Sequence, residues 1–113
     1  MIVRRGTLYL ADLGPRRGTE AGKTRPVLVI QTDLLNETGH SSTWVLPCTT
    51  RITGGSLLRV PLPKGIAGNR RDCEVMIDQS RTIDNRRLAR RLKPLPNTIL
   101  REVEEKLRLL ADL

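Results

Sequence analysis

The hydrophobic periodicity of this chain changes only once. From Thr7 to Lys93 the apolar residues fall in short runs closed off by glycine or proline, and only from Asn97 onward do they recur at helical spacing. Leu8 and Leu10, flanked by Tyr9 and Ala11, suit a first strand over Thr7–Leu13 that Gly14-Pro15 ends. Val27–Ile30, Trp44–Cys48, Leu57–Val60, Glu74–Asp78 and Ala89–Lys93 read as further short strands. Gly54-Gly55 and Asp84-Asn85 supply turns, Pro61–Asn69 reads as a loop, and Asp33 is placed to cap a short helical turn. Pro94 and Pro96 stop the sheet. Leu100, Val103, Leu107 and Leu110 then form one stripe, a core or dimer contact, on an amphipathic C-terminal helix. This pattern predicts a mainly β fold, a small, strongly bent sheet or barrel with one terminal helix. At 113 residues a single domain spanning 1–113 is expected.

Within that frame the stretch from Gly18 to Ile30 stands out. Val27–Ile30 has the apolar, β-branched composition of a strand buried on both faces. Pro26 fixes its own φ and biases Arg25 toward an extended backbone, so the arginine's charge is aimed and does not trail in solvent. Glu20 lies just upstream on a loop that Gly18 and Gly22 can bend, which allows an acid and a guanidinium to surround one substrate atom. An ordinary Glu20–Arg25 salt bridge is the plain alternative.

The formal net charge of +8 and an isoelectric point near 10.7 point to a polyanionic partner, nucleic acid ahead of membrane. The cations come as pairs, Arg4-Arg5, Arg16-Arg17, Arg70-Arg71, Arg86-Arg87 and Arg90-Arg91, and the planar guanidinium fork matches phosphate. Tyr9 and Trp44 are the only aromatic residues, which argues against base stacking on a broad aromatic platform. Cys48 and Cys73, without CxxC spacing, and the single His40 cannot assemble a tetrahedral zinc set within one chain, so the cysteines read as reduced core thiols. No apolar segment follows the N-terminal arginines and no apolar run approaches a bilayer span, so a soluble, cytoplasmic protein without membrane partners is expected.

Two further clusters carry reactive side chains. Pro47-Cys48-Thr49-Thr50 puts two hydroxyls where a strand opens into a loop, and Ile77–Asp84 brings Asp78, Gln79, Arg81 and Asp84 to the end of another. The threonines are equally suited to bonding their own backbone, and Asp78 and Arg81 to pairing structurally. GxxxxGK[ST], HExxH and GxSxG are absent, and one histidine excludes paired-imidazole catalysis within a chain. Guanidinium, hydroxyl and one loop carboxylate remain. That set can cleave RNA without a metal, because RNA brings its own nucleophile, the 2′-OH.

Arg5-Gly6, Asp12-Leu13-x-Pro15-x-x-Gly18-Thr19-Glu20, Arg25-Pro26-Val27-x-Val29-Ile30, Pro47-x-Thr49-Thr50 and Asp78-Gln79-x-Arg81-Thr82-Ile83-Asp84 together resemble the MazF/PemK family of toxin endoribonucleases. The resemblance covers nearly the whole chain. It implies an SH3-like barrel with a C-terminal amphipathic helix, a homodimer, cofactor-free and metal-independent cleavage of single-stranded RNA at a short sequence, and neutralisation by a cognate antitoxin. It places the catalytic arginine on Arg25, its hydroxyl partner on Thr49 and an acidic loop position on Glu20. Thr19, Lys23, Thr50, Gln79 and Arg81 become candidate RNA contacts, with barrel stabilisation equally open for Gln79 and Arg81. The basic charge further predicts an antitoxin with an acidic, largely disordered segment. Gyrase poisoning on the same barrel, or RNA binding without cleavage, are the competing readings. Pro61 to Arg71 is the least family-like part.

Overall fold

The computed structural model describes residues 2–19 and 22–113. Its strands are β1 (Thr7–Asp12), β2 (Thr24–Val29), β3 (Ser42–Thr49), β4 (Arg59–Leu62), β5 (Cys73–Met76), β6 (Arg81–Asp84) and β7 (Leu88–Pro94). Two helices join them, the short α1 (Asp33–Asn36) and the C-terminal α2 (Asn97–Ala111). The strands form an antiparallel sheet in the order β4-β5-β3-β2-β1-β7, with β6 also pairing β3. The long strand β3 sets the bend. Its first half pairs with β6 and its last two residues with β5, while β2 lies along its other edge.

Strand alternation sends successive side chains to opposite faces, and both faces are covered. Leu8, Leu28 and Leu46 are opposed across β1, β2 and β3 and join Cys48, Val60, Val75 and Val103 in one cluster. Tyr9, Val27, Val29, Val45 and Ile83 form the other. Helix α2 closes the first cluster with buried Val103 and partly buried Leu100 and Leu107, whereas Leu110 is half exposed. The helical stripe is therefore core over its first turns and surface over its last. Lys106 fastens the helix, its Nζ donating to the carbonyls of Ser56 at 3.0 Å and Arg59 at 2.8 Å.

Several expectations shift in detail. Strand β2 begins at Thr24 rather than Val27: Pro26 lies opposite Leu10 and precedes the first β2–β3 pair, so its missing N–H falls where that ladder ends. Strand β4 starts at Arg59, leaving Leu57 exposed, because Arg59–Leu62 is the segment that pairs with β5. Strand β5 runs over Cys73–Met76, and Ile77–Gln79 winds into a 3₁₀ turn. The Arg81–Asp84 stretch is a strand although Ile83 is its only apolar residue. The cap of α1 is Thr32, whose hydroxyl accepts from the Leu34 N–H at 3.3 Å. Asp33 instead accepts from the Arg5 backbone N–H at 2.8 Å and from Asn36 at 3.0 Å, contacts that hold its carboxyl below the usual range.

Both cysteines are buried and unbridged, as expected, but they lie against each other. The contact with Cys73, together with burial, pushes the Cys48 thiol up. No helix among the described residues is long and apolar enough to cross a membrane.

Leu46 sits fully buried at the centre of the leucine row. Leu46→Ala should cost about 2–5 kcal/mol, read as a lower urea midpoint with an unchanged m-value.

Candidate active site

The register explains which side chains meet. Opposed residues of antiparallel strands share a face, so Thr49 and Glu74 point the same way, as do Arg59 and Met76. Val27 lies opposite Pro47, and the same register carried to the strand ends sets Arg25 level with Thr49. Arg25, Thr49 and Glu74 thus form a row across β2, β3 and β5. Beside it opens a cleft of about 220 Å³, where Arg16, Arg25, Arg51 and Arg59 bring four cations to Thr19, Thr49, Gln79 and Met76. A second cleft of about 250 Å³ continues past Arg25 and Thr49 to Lys23, Thr24 and Thr50.

Arg25 is fixed by backbone carbonyls. Its Nε donates to Gly22 O at 2.8 Å and its Nη1 to Cys48 O at 3.3 Å. Gly22 is required there, because a Cβ at that position would come within 2.4 Å of the Arg16 backbone nitrogen. Among the described residues these bonds use two of the five guanidinium N–H donors. Burial lowers the Arg25 pKa, Cys48 opposes that and Arg16 adds to it, and the guanidinium remains a cation at neutral pH. Thr49 Oγ1 accepts from the Arg51 N–H at 3.1 Å, the local backbone bond anticipated for a turn threonine. The hydroxyl proton of Thr49 is not consumed by that bond.

Glu74 went unnoticed in the sequence. Burial alone would raise its pKa, but Thr53 donates through its N–H at 3.2 Å and its hydroxyl at 2.9 Å, Arg59 adds its charge, and the net shift is downward. Arg59 Nη1 lies 3.8 Å from the Glu74 carboxylate, buried without a hydrogen-bond partner. Glu74 therefore ties the Thr49–Arg59 loop and holds Arg59 at the cleft wall. An acid inside the otherwise apolar run Cys73–Met76 was the available signal.

Of the residues singled out in the sequence, Arg25, Thr49, Thr19 and Gln79 converge on the first cleft, and Lys23 and Thr50 on the second. Arg81 sits on β6 opposite Val45 and is not among the residues lining either cleft. Glu20 lies outside the described residues. Arg16, Arg51 and Arg59 line the cleft without having been picked out individually. Among the described residues no three His, Cys, Asp or Glu side chains are grouped to hold a metal ion.

A strongly bent antiparallel sheet with a terminal helix, carrying an arginine-rich cleft on its rim, defines a small basic protein built to hold an anionic strand. The family model of the PemK-like, MazF-like toxins of type II toxin-antitoxin systems matches residues 4–111, and this chain belongs to that family. It is 37% identical over 110 residues to the endoribonuclease EndoA of Bacillus subtilis, covering 96% of this chain and 94% of that protein. Its fold superposes on MazF of Deinococcus radiodurans with a TM-score of 0.85 at 29% identity, covering 100% of this chain and 99% of the other. It also matches a MazE–MazF structure from that organism at a TM-score of 0.78 and 30% identity, covering 100% and 98% of the two chains. The expected SH3-like architecture with an accessory helix is therefore the fold of this family.

Glu74 gives the site a measurable acid sensitivity. A carboxylate depressed in the folded state contributes stability that is present above its ordinary value of 4.5 and is lost as pH falls through the lower folded-state pKa. Glu74→Gln should lower stability at pH 7 by about 1–3 kcal/mol and flatten the loss of urea midpoint on acidification. A variant curve parallel to the wild-type curve would exclude this role.

Proposed function

We propose that this chain is a single-domain, sequence-specific endoribonuclease toxin that cleaves single-stranded RNA by transesterification without a metal or cofactor. The observation that carries this reading is the fixed Arg25 guanidinium beside the Thr49 hydroxyl in an arginine-walled cleft. A scissile phosphate seated there receives the remaining Arg25 donors on its non-bridging oxygens, with Thr49 donating a further hydrogen bond. Both contacts strengthen as charge grows on the phosphorane, which is the condition for lowering a barrier.

The 2′-oxygen attacks phosphorus while the bond to the 5′-oxygen breaks, giving a 2′,3′-cyclic phosphate and a 5′-hydroxyl. One proton leaves the 2′-OH, and the departing 5′-oxygen takes one from solvent water. A guanidinium is a poor proton carrier at neutral pH, so Arg25 acts as clamp and Glu20, at the family's acidic loop position, accepts the 2′-OH proton. Thr19, Lys23, Thr50 and Gln79 contact the strand along the two clefts, and Arg81 contacts it from β6.

The complexes of Deinococcus radiodurans MazF with MazE support a cognate antitoxin for this chain, whose acidic, disordered segment would compete with RNA for the same cations. We further assign the toxin to the cytoplasm as a homodimer.

The test is incubation of mixed single-stranded RNA with the protein in EDTA. Cleavage with cyclic-phosphate ends is expected. Arg25→Ala should slow it at least about a thousandfold and Thr49→Val about a hundredfold, the range for losing a transition-state donor. Activity that requires magnesium, or that survives both substitutions, would overturn the reading. DNA lacking the 2′-OH should bind and remain intact.

A further inference from the structure

Next to the clefts lies a cavity that the reaction does not use. It measures about 190 Å³, with an apolar floor of Leu10, Pro26 and Leu92 and a rim of Arg70, Arg71 and Arg90. It shares Pro26, Thr50 and Cys73 with the cleft containing Lys23, which in turn shares Arg25 and Thr49 with the first cleft. The three form one trough leading away from Arg25.

The rim is held in place. Arg90 lies opposite Leu10 in the β1–β7 register and so shares its face. Arg70 and Arg71 are carried on the loop after β4, which Asn69 braces: its amide donates to the carbonyls of Leu62, Pro63 and Arg71, the last at 2.8 Å, while its oxygen accepts from the Ala67 N–H at 3.1 Å. Ala67 O in turn accepts from the Lys93 N–H of β7 at 3.0 Å. Gly68, at φ +82°, supplies the left-handed turn that brings the loop against Leu92.

Resting on the ribonuclease reading above, we infer that this cup receives one unstacked base of the RNA strand beyond the scissile phosphate and contributes to sequence preference. At about 190 Å³ it falls below the roughly 300–1,000 Å³ of a drug-sized ligand site, and takes a single ring. Its apolar floor suits the face of a base and not a phosphate. Tyr9 is buried and Trp44 lines a different groove, against α2, so planar guanidinium groups are the stacking surfaces at hand. Asn69 has its amide engaged, which leaves the arginine planes and the Thr50 hydroxyl as the groups that meet the base.

The test is a scan of single abasic substitutions along a mixed-sequence oligoribonucleotide, with binding read by fluorescence anisotropy. The strand carries a 2′-deoxy nucleotide at the cleavage position mapped with the wild-type protein; if the wild type does not cleave, the unmodified strand serves, so the ribonuclease reading and the cup fail separately. At one position removal of the base should weaken wild-type binding about tenfold, or 1.4 kcal/mol, and should leave binding to Arg70→Ala/Arg90→Ala unchanged. Arg70→Lys/Arg90→Lys should keep most of the affinity and lose most of that difference, because lysine supplies charge without a plane. Both arginines are exposed, and matching melting curves confirm folding. Parallel abasic profiles in wild type and alanine variant, a full tenfold difference in the lysine variant, or an acidic peptide that alone loses binding in the alanine variant would each overturn the proposal.

Discussion

The site depends on a guanidinium that the backbone of the sheet and its adjoining loop hold in place. The described partners of Arg25 are the carbonyls of Gly22 and Cys48, which orient its plane without cancelling its charge. A carboxylate partner would fix the group equally well but would compete with a phosphate for it. Backbone anchoring also links the charge to the core, because Cys48 is buried in the cluster that β3 and β5 share. The position of Arg25 is thereby set by the sheet itself.

The same face of the sheet handles charge in two ways. Arg25 is anchored on backbone carbonyls beside the cleft, whereas Arg59 stands beside buried Glu74, whose carboxylate is satisfied by Thr53. A lone buried carboxylate would be costly, so Thr53 and Arg59 are what allow an acid within β5. The loop carrying Arg70 and Arg71 follows a comparable logic, with one asparagine amide meeting the carbonyls that the turn leaves unpaired.

Much of this was legible in the sequence. The single switch from short apolar runs to helical spacing located α2, loose alternation in Leu8–Ala11 located β1, and the short run Trp44–Cys48 located β3. Arg25 and Thr49 each stood out at the end of a buried strand, and the family resemblance paired them. Strand β6 escaped notice as a strand because Ile83 alone buries an apolar side chain there, and backbone pairing with β3 carries the rest. The contributions of Arg59 and Glu74 depend on the β3–β5 and β4–β5 registers, which have no local signature, and Arg16 and Arg51 reach the cleft from the loops after β1 and β3. The bracing by Asn69 was hidden for a related reason: a Pro- and Gly-rich stretch reads as a loop whether or not one amide holds it rigid.

In the proposed mechanism it is the planar fork of Arg25, not merely a positive charge at that point, that clamps the phosphorane. Arg25→Lys tests it most directly, because lysine keeps the charge but cannot bond both carbonyls and still present two parallel donors to a phosphate. Single-turnover cleavage by Arg25→Lys should fall nearly to the level of Arg25→Ala while its melting temperature stays close to the wild-type value. A lysine variant that cleaves within a few-fold of wild type would contradict the account.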